Sequence, residues 1–207
     1  MRYLDWYYFF KPIIPRSAQL AARQFLATYK RKSYKSVWPI DRKASDKPDG
    51  WTGWPENKVF ALVLNHDVDT ARGRNGAYRL MEIEKELGFQ SSFNFVPEAY
   101  ALPNDLRRSL TQEGFEIGVH GLRHDGKTFK NRMTFRKRAP RIKYYLNEWQ
   151  SVGFTSPSML RNHDFMAELD IEHGCSTFDT DPFEPESKGV QSIFPFYASN
   201  LAQTKIY

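Results

Sequence analysis

The stretch Val59-Phe60-Ala61-Leu62-Val63-Leu64-Asn65-His66-Asp67-Val68-Asp69 opens with six apolar residues and closes on five positions, four of them polar. A continuous apolar run reads as a strand buried on both faces, the kind that parallel sheets contain. In parallel α/β folds the carboxyl ends of the strands converge on the active site. Read this way, the strand delivers two carboxylates and an imidazole to the end of a sheet where chemistry is done.

Downstream, strand and helix signals alternate. Residues 76–87 have helical apolar spacing and stop before Gly88. Residues 89–96 alternate as a second strand that closes at Pro97. Asn104 is placed to cap a helix through Glu113, stopped by Gly114. Residues 115–119 form a third strand. Thr134 is placed to cap a long helix with Ile142, Leu146, Trp149 and Val152 along one side, stopped by Gly153. Residues 154–156 read as a short fourth strand, 162–169 as a short helix and 175–179 as a fifth strand. This alternation predicts parallel βα units, hence an α/β barrel or open sheet. No Gly-rich phosphate loop follows any strand, which disfavours nucleotide-binding versions.

At 207 residues and 41% hydrophobic composition, the chain is long and apolar enough for one domain with a real core. Residues 57–207 form that domain, and residues 1–56 are a basic, aromatic extension. Within the extension, 16–31 carry apolar Leu20, Ala21, Phe25, Leu26 and Tyr29 among basic residues, which predicts an amphipathic helix. Packing on the main domain is the expected role of that helix, and peripheral contact with a membrane surface is the alternative. Between Arg2 and Lys43 stand ten Lys or Arg against two Asp, whereas 164–186 hold eight acidic residues and no Lys or Arg. Solvated helix faces are the ordinary account of such blocks, with anionic glycans or lipid headgroups as the partners they suit. The interleaved aromatic and basic signature of nucleic-acid binding is absent, so no nucleic acid is expected. The first ten residues lack a basic leader, an apolar stretch and a cleavage site, and no run of eighteen apolar residues exists. With one cysteine, Cys175, a cytoplasmic location without a transmembrane segment is expected. Cys175 itself reads as a small buried apolar residue. The sequence leaves the oligomeric state open.

The third strand runs into His120-Gly121-Leu122-Arg123-His124-Asp125, and the fourth into Ser156-Pro157-Ser158. Two histidines separated by three residues converge on one ion if the turn between them is tightly coiled. Imidazoles with a carboxylate suit Zn²⁺, and also Co²⁺, Ni²⁺ or Fe²⁺. Three protein ligands leave a position for water, the mark of a catalytic site. In the Asp-x-Asp unit one carboxylate can bind the ion while the other accepts a proton from water. Each piece alone has an ordinary reading, the histidines as satisfied structural residues and the Asp pair as a turn or cap. What favours the metal is their meeting on one face. His66 reads equally as a partner to a ligand or as a spare one.

Residues 60–69 resemble the first motif of the polysaccharide deacetylases, the NodB-homology group or carbohydrate esterase family 4. Residues 118–126 resemble the second motif and residues 154–159 the third, while 176–185 are similar to a segment of an uncharacterised bacterial subgroup. The resemblance spans about residues 37–197. It implies a distorted (β/α) barrel and metal-dependent hydrolysis of N-acetyl groups from amino sugars of a glycan. It makes Asp67 the base and Asp69, His120 and His124 the ligands of one divalent ion, Zn²⁺ first among candidates. Ser156 and Pro157, with Asp179 and Asp181 further on, are the expected substrate-binding residues; turn formation beside Pro182 is the competing role for the two Asp. The pattern departs from the family at Thr155, where an Arg is usual, with Arg161 as the nearest substitute. It also departs at the end, since no His follows His173. The expectation is therefore a barrel incomplete at its C-terminal end, without the family's general acid; His163 and His173 lie away from that place. A relative that binds metal and glycan without turnover is the alternative function.

Overall fold

The computed structural model describes residues 14–183 and 189–197, so the readings of residues 1–10, Glu184 and Pro185 lie outside the described residues. Five helices and five strands alternate after the first helix: α1 (Arg16–Ser33), β1 (Asn65–Val68), α2 (Ala71–Glu86), β2 (Ser92–Phe95), α3 (Asn104–Gln112), β3 (Glu116–His120), α4 (Arg132–Trp149), β4 (Gly153–Thr155), α5 (His163–Met166) and β5 (His173–Gly174). The strands form one parallel sheet in the order β1-β2-β3-β4-β5. Among the described residues this sheet does not close, and β1 and β5 are its edges. It is the α/β architecture that the alternation predicts.

Strand side chains alternate between faces, so the register divides the sheet cleanly. One face carries Phe93, Phe95, Ile117, Val119 and Phe154, buried under Met81, Leu110, Phe135, Ile142 and Leu146 from the helices. The opposite face is polar. Asp67, Asn94, Gly118, Gly153 and His173 stand in one register row there, with Asn65, Glu116 and His120 two residues away along their strands. Asn94 donates to Asn65 across it.

The expected first strand is displaced. Residues 59–64 are not in the sheet, and Val59, Phe60, Leu62 and Val63 are 86, 71, 64 and 74% exposed. Only Leu64 reaches the ladder, its carbonyl accepting the Ser92 N–H at 3.0 Å. A strand exists only where a neighbour supplies its hydrogen bonds, and β2 begins at Ser92. Asn65 to Val68 are thus the strand itself, and Asp69 follows it directly.

Helix starts also shift. Thr70 caps α2, accepting from the Gly73 N–H at 3.2 Å. Asn131, not Thr134, caps α4; its Oδ1 accepts the Thr134 N–H at 2.8 Å. Asn104 lies inside α3, after a cap at Pro103. Asn162 caps α5, its side chain accepting the Phe165 N–H at 3.0 Å. Helix α4 ends at Gln150 in the left-handed region, so Gly153 is free to open β4. The fifth strand lies at His173–Gly174 rather than at 175–179, too short for alternation to mark it.

Among the described residues α1 does not pack on the main domain as a buried helix: none of its residues is buried, and Leu20, Phe25, Leu26 and Tyr29 are exposed. Its described tie is Lys30 Nζ donating to the Pro182 carbonyl at 2.6 Å. Residues 38–54 of the extension meet residues 180–183 and 193–194. Trp38 meets Phe183 at 4.9 Å, Trp51 meets Phe194 at 5.0 Å, and the Ile193 N–H bonds the Ala44 carbonyl at 3.0 Å. Among the described residues no helix is long and apolar enough to cross a membrane.

Candidate metal centre

Parallel pairing brings the ends of β1 and β3 to the same edge of the sheet, with β2 between them. Asp69 leaves β1 there, and His120 is the last residue of β3. His124 returns from the loop that follows. The Nε2 atoms of His120 and His124 both lie 3.4 Å from Asp69 Oδ1. Together the three side chains offer one ligand atom each within 4.8 Å of one another. They are the described residues that meet this test for a metal ion. Asp67 stands beside them, its Oδ1 3.7 Å from His120 Nδ1.

The loop between the histidines is held on three sides. Gly121 has φ +64°, and a Cβ there would lie 2.8 Å from Pro157 Cδ. The Glu98 N–H bonds the Leu122 carbonyl at 3.2 Å, and the Glu98 carboxylate pairs with Arg123 at 2.7 Å and with Arg141 of α4 at 2.6 Å. Asp125 receives both guanidinium nitrogens of Arg138, each at 2.7 Å. Planar bidentate pairing of this kind fixes orientation as well as distance. On the β1 side, Tyr100 donates to the Val68 carbonyl and accepts the Val96 N–H at 3.1 Å. Burial pushes that hydroxyl up to about 12, so it stays protonated.

Burial raises the Asp67 carboxyl above its ordinary range, opposed by His120 and reinforced by Asp69. Burial likewise holds His120 below its ordinary 6.5, against the pull of Asp67 and Asp69. His120 is therefore neutral, the form that ligates metals. Its Nδ1 lies 3.1 Å from the Thr155 carbonyl, which leaves Nε2 for Asp69 and any ion.

The other expected site residues stand elsewhere. Ser156 and Pro157 are buried behind the histidine loop, with the Ser156 N–H on Ser176 Oγ at 2.8 Å. Asp181 accepts the Phe183 N–H at 2.8 Å within a turn, and the Asp179 carbonyl accepts the Gln191 N–H at 2.8 Å. His66 points to the core face, 2.7 Å from Glu84 and against the Phe93 ring. Arg161 bonds the Met159 carbonyl and covers the Phe178 ring. His163 meets Phe196, and His173 lies 2.9 Å from Glu116. Cys175 is a half-buried free thiol whose pKa burial raises. Glu98, Tyr100, Arg138 and Arg141 were not marked by the sequence; ion pairs between a loop and a distant helix leave no periodicity to read.

No family model matches the chain, and no curated protein matches it. Solved structures do. A Mycobacterium smegmatis protein designated a polysaccharide deacetylase superposes with a TM-score of 0.60 at 20% identity, over 77% of this chain. The chain spans 62% of the length of that structure. A family 4 carbohydrate esterase from Streptomyces lividans, in complex with acetate, gives 0.47 at 14% identity, over 57% of this chain and 63% of its own. A family 4 pseudoenzyme from Bacillus anthracis gives 0.45 at 16%, over 53% and 40%. The chain has the fold of the polysaccharide deacetylase from M. smegmatis.

Proposed function

We propose that residues 57–207 form a metal-dependent carbohydrate N-deacetylase domain, with residues 1–56 as an extension. The observation that carries the reading is the convergence of Asp69, His120 and His124 beside Asp67 at the carboxyl edge of a parallel sheet. The donor set fits a divalent ion: one carboxylate oxygen and two imidazole nitrogens, with Nδ1 of His120 already bonded to a backbone carbonyl. Such an ion, Zn²⁺ before Co²⁺, Ni²⁺ or Fe²⁺, supplies Lewis acidity toward a water and an acetamide carbonyl. Asp67, beside the three donors and 3.7 Å from His120 Nδ1, accepts the proton that the attacking water loses. Of the four expected glycan-binding residues, Asp179 and Asp181 remain so proposed, whereas Ser156 and Pro157 are buried. From their positions behind the loop, Ser156 and Pro157 act by shaping it.

Elemental analysis and acetate release test the reading together. Wild type holds about one divalent ion per chain and releases acetate from oligomers of N-acetylated amino sugars. Asp69→Ala loses both ion and acetate release, whereas Asp67→Asn keeps the ion and loses roughly 10²- to 10⁴-fold in rate. A wild type that takes up no ion overturns the proposal. The placement of His163 on Phe196 and His173 on Glu116 favours a second reading, a chain that binds ion and glycan without turnover. An ion bound without acetate release selects it.

A further inference from the structure

We propose that α1 is a membrane-surface helix that lays its aromatic face on an anionic lipid bilayer. Ala18, Ala22, Phe25 and Tyr29 follow one another at i, i+4, i+7 and i+11, a single stripe of the helix. Phe25 is 75% and Tyr29 67% exposed, and the neighbouring Leu26 is open as well. Arg16, Arg23 and Lys30, seven residues apart, run along the flank of the helix, between Leu26 on the edge of the stripe and Leu20 on the far side. That flank leans inward: Gln19, Ala27 and Lys30 are the partly covered residues, and Lys30 bonds the Pro182 carbonyl. The helix thus turns its apolar stripe away from the protein that carries it, the reverse of a helix packed on a core.

Charge decides the occupant. Residues 16–33 hold Arg16, Arg23, Lys30, Arg31 and Lys32 and no acidic residue. An aromatic stripe on an acid-free cationic helix matches the boundary between acyl chains and anionic headgroups, with the exposed Arg16, Arg23, Arg31 and Lys32 reaching up to the phosphates. A second copy of α1 would bring five positive charges against five more, which opposes pairing. A nucleic acid would engage the cations and leave Phe25 and Tyr29 in water. The proposal is independent of the metal reading and uses none of its residues.

Co-sedimentation of the full chain with vesicles tests it. Binding is expected to phosphatidylcholine vesicles containing phosphatidylglycerol, weakening as salt rises, with little binding to phosphatidylcholine alone. Arg23→Gln is expected to weaken binding roughly fivefold. Phe25→Glu is expected to weaken it tenfold or more, roughly the loss from failing to bury one aromatic side chain. These side chains are exposed, so the urea midpoint of each variant should stay that of wild type. Three results overturn the proposal: no sedimentation of wild type with the anionic vesicles at low salt, binding unchanged in the Phe25→Glu, Tyr29→Glu double variant, or a dimer that this variant dissolves in place of vesicle binding.

Discussion

The Nδ1 of His120 lies 3.1 Å from the carbonyl oxygen of Thr155, so the backbone of β4 sets how the end of β3 presents its ring. A carbonyl only accepts, and the hydrogen is therefore on Nδ1 and the lone pair on Nε2, facing Asp69. Because the partner is backbone, the Thr155 side chain takes no role in this bond. Thr155→Val is expected to take up Zn²⁺ as wild type does, without the roughly 10- to 100-fold loss that follows removal of a ligand's supporting group. His120→Gln is expected to lose uptake. Calorimetric titration with Zn²⁺ distinguishes them, and a large loss in Thr155→Val would show that the side chain matters.

Gly121 sits between the histidines with φ +64° and with Pro157 Cδ 2.8 Å from where a Cβ would stand. Any L-residue there meets both obstacles at once. Gly121→Ala is expected to cost about 1–2 kcal/mol for the left-handed backbone alone, and more for displacing Pro157. The urea midpoint should fall, and Zn²⁺ affinity with it, because the loop carries His124.

The fold class was legible because helix and strand periods alternate along 71–174, and the meeting of Asp69, His120 and His124 because their motifs fall at strand ends. What misled was the apolar run 59–64. Its hydrophobicity reports a preference for burial, but pairing needs a neighbour, and β2 offers its first bond only at Leu64. Caps were misplaced where two candidates stood a few residues apart, as with Asn131 and Thr134. The straps on the histidine loop were invisible for a different reason. Glu98 and Arg141 are 43 positions apart, and nothing local in either segment announces the other.

Arg138 grips Asp125, the residue after His124, through both guanidinium nitrogens. The hydrogen bonds of this pair hold the Asp125 carboxyl below its usual range, so the strap persists through mildly acidic conditions. Arg138→Ala is expected to lower Zn²⁺ affinity roughly 10- to 100-fold, the effect of losing a support behind a ligand. Arg138→Lys restores the charge without the planar fork and is expected to recover only a fraction of it. Equal affinities in Arg138→Ala and wild type would remove the strap from the site's architecture.

On the polar face below the site, His173 Nε2 lies 2.9 Å from Glu116 Oε1, across β4. They meet because Gly153 stands between them; a Cβ there would lie 2.7 Å from the same nitrogen. The Glu116 hydrogen bond raises the His173 pKa above its ordinary 6.5, with burial opposing. The folded chain then holds this proton more tightly than the unfolded chain does. Its contribution to stability is complete below the unfolded value and is lost as pH rises through the folded one. Glu116→Gln removes the charge that raises the pKa. The advantage of wild type over this variant is therefore expected to be largest near about pH 6 and to shrink toward about pH 9. Urea midpoints of both proteins at the two pH values measure it. An advantage that does not change with pH would mean that the pair contributes by packing alone.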